Sequence, residues 1–293
     1  MSYKNALTRF LIAMTIWGTV GVSVHFIPLP SSIIANVRGI IGSLFLLIVL
    51  AVKRRRLDGQ AIRRNLKYLL PCGVALGFNW VLLFESYNMI GVGIGTVLYY
   101  LAPVFVILLS PLLFKEKLTA FRCLCAATAL VGMILTSGVI GAGESWNAKG
   151  VMLALGSAGM YAAIVLLSKQ QKNISAYDTT IFELGVSAVV LLAYNLLTVD
   201  FSTLQCTSRG LIMLLVVAIL HTGIAYSLYF GAIPYLPVQT SAICSYIDPI
   251  VAIIASAVIL REPMTLLSGI GAVLVLGGTL ASQLKRTEKE SAP

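Results

Sequence analysis

The sequence has few charged residues: 11% of its 293 residues are Asp, Glu, Lys or Arg, whereas 58% are hydrophobic. A soluble domain is about 25% charged, so a soluble globular protein, a disordered chain and a coiled coil are excluded. The same composition excludes a secreted disulfide scaffold. The five cysteines are odd in number, lie mostly in apolar stretches and form no CxxC pair, so we interpret them as small core residues rather than disulfides or zinc ligands. A GxxxxGK[ST] phosphate loop is also missing, which excludes a Walker-type ATPase. We expect no metal and no cofactor.

The basic residues lie between long apolar runs. The formal net charge is +10, but Lys and Arg form no single patch, so we expect no nucleic-acid partner. A membrane-spanning helix needs about 20 apolar residues, and ten segments qualify. They cover residues 6–27, 32–52, 66–89, 92–114, 120–140, 149–168, 178–198, 209–231, 237–260 and 266–284. The sequence therefore predicts an all-α membrane protein with ten transmembrane helices in a lipid bilayer.

The distribution of Lys and Arg predicts the topology. With the N-terminus in the cytoplasm, 17 of the 21 basic residues lie on the inner side and 4 on the outer side. Seven of them cluster between Lys53 and Lys67. Because basic loops favour the cytoplasmic side, we expect a multi-pass protein of the plasma or inner membrane. Both termini, including a tail at 285–293, are predicted to be cytoplasmic.

Two stretches of the sequence, 98–119 and 244–265, resemble each other at an offset of 146 residues. The offset is about half the chain, so each half would contain five helices. Because five is odd, the second half would enter the membrane upside down, as in the inverted repeats of secondary transporters. We expect repeats at 1–140 and 149–284. The matching residues are Tyr100 and Tyr246, Pro103 and Pro249, Ile107 and Ile253, Glu116 and Glu262, and Thr119 and Thr265.

This pattern, with Trp17-Gly18 in the first segment and a basic-Glu-x-x-Thr ending in each repeat, is similar to the EamA-type members of the drug/metabolite transporter (DMT) superfamily. The resemblance covers nearly the whole chain. It implies a ten-helix carrier of small metabolites, often an exporter, with a central cavity between the two halves. It says almost nothing about the substrate, and it assigns no role to Asp248, which stands where the first repeat has Ala102.

The two matched prolines fall in the middle of the fourth and ninth predicted segments. A proline inside a helix removes one hydrogen bond and displaces the carbonyl four residues earlier. For Pro103 and Pro249 these carbonyls belong to Tyr99 and Ser245. We expect two kinked helices that line the cavity and bend as it opens and closes, with Ser245 among the substrate-binding residues. The alternative is a purely structural kink.

Titratable groups inside a membrane need a partner or a path to water. Asp248 and His221 lie near the middle of consecutive predicted helices. We predict Asp248 as a proton or cation site, with His221 as its partner or as a substrate ligand, because histidine titrates near neutrality. The alternative is that Asp248 bonds to local backbone at the kink and His221 makes a satisfied polar contact.

Three further charged residues lie closer to the helix ends. Arg38 matches Glu85 in depth, so we predict an Arg38–Glu85 pair that serves as an outer gate or binds a substrate carboxylate. The alternative is that Arg38 extends to the headgroups. Glu183 is expected to reach the inner interface near Lys169 or Lys172 unless it faces the cavity.

Six aromatic residues sit away from helix ends, where an interfacial belt does not explain them. Such rings can wall a cavity for amphipathic or cationic substrates, although helix packing is the alternative for any single ring. We expect at least two of them to line the cavity. They are Trp17, Trp80, Tyr99, Tyr161, Tyr226 and Tyr246.

The sequence favours a carrier over other membrane functions. No GxGD or GxSG motif of an intramembrane protease is present, so we expect no enzyme. A channel would normally need oligomeric symmetry or a repeated filter, and an assembly factor would need an extramembrane domain. We predict alternating-access transport of small amphipathic metabolites such as amino acids by a monomer or a weakly associated homodimer. Transport is either proton-coupled or facilitative, and small organic cations are the alternative substrates.

Overall fold

The computed structural model describes residues 1–114, 119–136, 147–236, 240–241 and 244–290, with the side chains of 110–114, Arg122 and 282–290 left out. Within these residues the chain is helical and contains no strand. The predicted end of the fifth segment, the start of the ninth, and Glu116 with its neighbours Lys115 and Lys117 lie outside the described part. The last three residues of the predicted tail also lie outside it.

The helices of the first half follow the predicted segments except at the third, which begins at Gly59, seven residues before the predicted start at 66. The first is interrupted at Thr19 and the fourth at Tyr100 and Leu101. Pro71 lies inside the third helix without ending it. The helices are α1 (Tyr3–Gly18 and Val20–His25), α2 (Ser31–Val52), α3 (Gly59–Ile90), α4 (Val92–Tyr99 and Ala102–Phe114) and α5 (Ala120–Thr136).

The second half contains two π-helical stretches. One, Ile219–Ile224, interrupts the eighth helix, and the other, Ser256–Leu260, ends the ninth. The final helix continues to Glu290, past the predicted end at 284. The helices are α6 (Ala148–Ser168), α7 (Ala176–Thr198), α8 (Ser208–Tyr235), α9 (Ile247–Leu260) and α10 (Leu266–Glu290).

Several helices begin at a side chain that accepts a hydrogen bond from the first turn. Asp58 accepts from the amide of Ala61, Asn147 from that of Gly150, and Ser175 from that of Asp178. These are the residue types preferred at a helix N-cap, because their oxygens satisfy amides that have no partner within the helix. They fix where α3, α6 and α7 start.

In the described residues, seven helices are long and apolar enough to cross a membrane: α1, α2, α3, α4, α6, α7 and α8. The apolar parts of α5, α9 and α10 are shorter, at Cys123–Thr136, Ile247–Leu260 and Leu266–Ala281. Each of the three borders residues or side chains outside the described part. The chain is thus an all-helical membrane protein, and the ten spanning helices stay a prediction.

Helix pairs pack through small residues. A Cβ atom placed on Gly132 of α5 would come within 2.7 Å of the carbonyl oxygen of Gly271 on α10. A Cβ on Gly73 or Gly77 of α3 would meet Val186 or Ser187 of α7 at 2.6 or 2.8 Å. Small residues allow such close approach of helices in membranes. The main pairs are α1 with α8 and α9, α2 with α7 and α8, α3 with α6 and α7, α4 with α6 and α9, and α5 with α10.

Candidate functional site

A cavity of about 410 Å³ lies between α1, α2, α3, α4, α6, α7, α8 and α9. Ligand pockets typically enclose about 300–1,000 Å³, so the cavity suits a small molecule. Three of the residues predicted from the sequence, His221, Glu85 and Pro249, are not among those that line it. The predicted residues that do line it are Trp17, Arg38, Trp80, Tyr99, Pro103, Tyr161, Glu183, Tyr226, Ser245, Tyr246 and Asp248.

A turn in the backbone lies just before each of the two matched prolines, Pro103 and Pro249. In α4 the break falls at Tyr100 and Leu101, ahead of Pro103. The residues ahead of α9, Ser245 and Tyr246, form a turn, and Pro249 follows. A proline disfavours helical geometry in the residue before it and removes a backbone donor. The Ser245 carbonyl accepts the amide of Asp248 at 3.3 Å, so it takes part in the turn.

The Arg38 side chain is buried, with 5% of its surface exposed. Its Nε donates to Thr222 Oγ1 at 2.7 Å, and its guanidinium lies 4.1 Å from the centre of the Trp80 ring. Among the described residues it forms no ion pair with Glu85, so the predicted Arg38–Glu85 pair is wrong. The extension to the headgroups is also wrong. Depth along α2 was a poor guide because Thr222 and Trp80 hold the guanidinium at the cavity.

Asp248 faces the cavity from the start of α9. Its Oδ2 accepts a hydrogen bond from the Tyr100 hydroxyl at 2.9 Å. Arg38 and Asp248 also interact electrostatically, but they form no ion pair within the part of the chain that the structure describes. The cavity therefore holds a guanidinium and a carboxyl group that are not joined to each other.

Glu183 lines the cavity from α7 and is 7% exposed. Its Oε1 accepts from the Gln171 amide at 3.3 Å, and Cys72 of α3 is a further neighbour. This contact agrees with the predicted position of Glu183 near Lys169 or Lys172, because Gln171 lies between those two residues. The carboxyl group also faces the cavity, which was the alternative.

His221 is buried and does not line the cavity. Its ring nitrogens lie 3.1 Å from Thr19 Oγ1 and 3.2 Å from the carbonyl of Val216, and its own carbonyl accepts the Trp17 indole N–H at 2.8 Å. The predicted His221–Asp248 partnership is wrong, since these contacts occupy both ring nitrogens. His221 instead joins α1 to α8 and orients Trp17.

The aromatic residues that line the cavity include two groups of neighbouring rings. On α1 and α8, Trp17 lies 5.1 Å from Tyr226 and 5.2 Å from Tyr229. On α4 and α6, Tyr99 lies 5.5 Å from Tyr161 and 6.0 Å from Tyr100. Rings at these separations stabilise one another and present flat apolar surfaces.

The sequence analysis missed four residues that shape the cavity wall. Tyr100 binds Asp248, and its match with Tyr246 in the repeat was the signal that could have found it. Thr222 anchors Arg38 from the π-helical stretch of α8, which no sequence pattern revealed. Tyr229 and Phe230 extend the aromatic group of α8. Their positions three and four residues after Tyr226 place them near its face of a helix.

Comparison with known proteins identifies relatives along the whole chain. The model of the EamA-like transporter family matches twice, at residues 5–138 and 148–282. The uncharacterized transporter YxxF of Bacillus subtilis (strain 168) is 30% identical over 289 residues, which cover 98% of this chain and 92% of that protein. The uncharacterized transporter YvbV of the same organism is 24% identical over 269 residues, covering 90% and 86%.

The fold also has a counterpart among solved structures. A protein crystal structure aligns with a TM-score of 0.68 and 16% sequence identity, covering 96% of this chain and 98% of that one. At this identity the likeness concerns the fold alone.

Proposed function

Because the chain belongs to the EamA-like transporter family and is a multi-pass membrane transporter, we propose that it carries small amphipathic metabolites such as amino acids. The substrate binds in the cavity of about 410 Å³. Transport proceeds by alternating access, with two five-helix halves rocking around this single site. The membrane is the plasma or inner membrane, with both termini cytoplasmic.

The proposed substrate class rests on one observation: Arg38 and Asp248 both line the cavity but form no ion pair with each other in the described part of the chain. Arg38 is fixed by Thr222 and Trp80 through its Nε and one face, which leaves the two terminal NH₂ groups to meet a carboxylate as a fork. Asp248 accepts from Tyr100 through one oxygen and can accept an ammonium group as well. A zwitterion bound between them satisfies both charges, while the rings contact its apolar part.

The pairing of helices supports two related halves. If the halves are related, each helix of α1–α5 corresponds to the helix five numbers later, and each contact between helices should have a counterpart when corresponding helices are exchanged. The α3–α6 contact then corresponds to α8–α1, α4–α6 to α9–α1, and α3–α7 to α8–α2, and all six contacts occur. The pairs α2–α7, α4–α9 and α5–α10 are unchanged by the exchange. Since each proposed half has five helices, the halves would have opposite orientations in the membrane.

Asp248 is the proposed coupling site if transport is driven by protons. A carboxyl group inside a membrane is costly unless it is paired, and Asp248 has one hydroxyl donor and a distant guanidinium. Binding of a proton or of the substrate ammonium group would neutralise it. Proton-coupled transport and facilitated diffusion both fit this arrangement, so the choice rests on the pH dependence tested below.

Small organic cations are the second candidate, and Glu183 favours them. Two carboxyl groups, Asp248 and Glu183, and one guanidinium line the cavity together with many aromatic rings. Carboxylates and ring faces are the groups that attract cations. Against this candidate, Arg38 interacts electrostatically with Asp248 and would repel a cation bound there.

A thermal-shift screen of the purified protein tests the substrate class. Ligands stabilise the state that they bind, by an amount that grows with concentration. The screen uses the proteinogenic amino acids and, for each, the decarboxylated amine. Stabilisation by some amino acids and not by their amines is expected. The contrary result is stabilisation by the amines that is retained in the Arg38→Gln variant and lost in Asp248→Asn or Glu183→Gln. It would show that the substrates are small organic cations rather than amino acids.

A further inference from the structure

The start of α4 is bound by a carboxylate from the end of α9. Glu262 Oε1 accepts the amide of Val92 at 2.8 Å, and Oε2 accepts the amide of Gly93 at 3.0 Å. Gly91, the residue before the helix, provides no side-chain cap. The first amides of a helix lack partners within the helix and carry partial positive charge. Glu262 therefore caps α4 from a position 170 residues away in the sequence.

The backbone on both sides is shaped for this contact. Gly91 has a φ of +82°, and a Cβ atom there would lie 2.9 Å from the Glu262 carboxyl group. On the other side, the π-helical stretch Ser256–Leu260 ends at Arg261, a left-handed residue with a φ of 57°, and the amide of Glu262 returns to the carbonyl of Ser256 at 3.3 Å. This sharp turn directs Glu262 toward α4.

The contact lies about one helical turn from the cavity. Thr96, one turn after the capped amides, lines the cavity, and its hydroxyl lies 3.2 Å from that of Tyr87, which also lines it. Glu262 belongs to the second proposed half, and the amides belong to the first. A movement that separates the start of α4 from the end of α9 must break both hydrogen bonds, and we expect it to expose Thr96 from this side.

We propose that Glu262 is a gating residue, whose carboxylate holds the two halves together on the membrane face where α4 begins and α9 ends. The inference rests on the proposed function, because only an alternating-access carrier needs this contact to break in each cycle. In the predicted topology the face is external. The backbone amides supply the binding partner, so the gate needs no second charged side chain.

Accessibility of Thr96→Cys tests the gate without a substrate. The five native cysteines are replaced by alanine or serine, and a membrane-impermeant maleimide is applied to either face in intact cells and in inverted vesicles. Glu262→Ala and Glu262→Gln are expected to speed labelling from the α4-start face by about fivefold, from the loss of charge–helix stabilisation. They are expected to slow labelling from the opposite face. Lys149→Gln, which removes an exposed charge at the start of α6 on the same predicted face, is the control and should leave both rates unchanged.

A second variant tests the same contact from α4. Val92→Pro removes one of the two amide donors, and proline is well accommodated at the first position of a helix. It should shift labelling in the same direction as Glu262→Gln, by a smaller factor. Unchanged labelling in both Glu262 variants, or faster labelling from both faces together, would overturn the gate. A general loss of fold would speed labelling from both faces, whereas release of the gate speeds labelling from one face and slows it from the other. Absence of any transported amino acid would refute the proposed substrate class but would leave this accessibility result valid.

Discussion

A turn precedes the proline at two matching places, at Tyr100 and Leu101 within α4 and at Ser245 and Tyr246 where α9 begins, but the chemistry of the two places differs. α4 has Ala102 before its proline, whereas α9 has Asp248. The tyrosines at the two breaks also differ in their partners: Tyr100 donates to Asp248 across the cavity, and Tyr246 donates to Thr279 of α10. The repeated feature is thus the break in the backbone, and the charged group at the break is present on one side alone.

This difference suggests a division of roles. A pair of similar breaks suits a movement that both halves share, since in the proposed alternating-access cycle each half would bend in turn as the cavity opens to one face or the other. A single carboxyl group suits a site that binds one substrate at a time. The predictions below separate these two roles.

The largest effect is expected from Asp248→Asn. In the proposed complex Asp248 pairs with the ammonium group of the substrate, and removing one partner from such a buried charge pair costs several kcal/mol. Transport should therefore fall about 100-fold or more, and any pH dependence of transport should be lost. The measurement is uptake or efflux in proteoliposomes across a series of pH values. Pro249 and the backbone break are left unchanged by this substitution.

The control for Asp248→Asn is Asp200→Asn in the loop between α7 and α8. Hydrogen bonds from the hydroxyl and amide of Ser202 hold the pKa of Asp200 below its usual value, so this exposed carboxylate is ionised at neutral pH. Its removal should leave transport unchanged. Full pH dependence in Asp248→Asn would remove Asp248 from the coupling mechanism.

Arg38→Lys is expected to have the next largest effect. Lysine keeps the charge but loses the fork that meets a carboxylate and the flat face that stacks on Trp80. Amino-acid affinity should fall about 10- to 100-fold, as for the loss of hydrogen bonds to a charged group, and binding of amines should not fall. Ligand-induced thermal shifts across a concentration series measure both. Equal losses for amino acids and amines would contradict a carboxylate site at Arg38.

Tyr100→Phe and Tyr246→Phe compare the two breaks directly. Tyr100→Phe removes the donor to Asp248 and should weaken substrate binding about tenfold. Tyr246→Phe removes the bond to Thr279 and should lower the melting temperature more than the affinity. A double-mutant cycle of Tyr100→Phe with Asp248→Asn isolates their coupling. Additive effects in the cycle would show that the hydroxyl does not act through Asp248.

The smallest effects are expected from Pro103→Ala and Pro249→Ala. Each alanine restores an amide donor and permits a straighter helix. If the two breaks share one movement, the two variants should slow exchange by a similar factor, about two- to fivefold for a loss of up to about 1 kcal/mol, and leave affinity nearly unchanged. Counterflow rates and thermal shifts measure the two quantities. A large loss of rate in one variant alone would argue for separate roles.

Much of the architecture was predictable from the sequence because lipid constrains it strongly. Long apolar runs indicate helices whose backbone groups bond internally, and the prolines indicate the breaks. Side-chain partners were less predictable. Depth along a helix suggested Glu85 for Arg38, but the partner was Thr222 on another helix. The rotation and packing of each helix decide such contacts, and a single sequence does not encode them in a readable pattern.

The role of Glu262 illustrates the same point. Its match with Glu116 in the repeated motif was visible in the sequence, but the motif indicated no partner for it. In the structure the Glu262 carboxylate joins the end of α9 to the start of α4, and the left-handed turn at Arg261 redirects the backbone. A contact between residues 170 positions apart in the sequence depends on how the helices pack, which the motif does not specify.

The most direct test of the central claim is counterflow in proteoliposomes. Vesicles are loaded with the amino acid that gives the largest thermal shift, and exchange of its labelled form is compared with exchange of its decarboxylated amine and its deaminated acid. Binding of a zwitterion between Arg38 and Asp248 predicts saturable exchange of the amino acid and little exchange of either analogue. Equal exchange of the amine and the amino acid would contradict it.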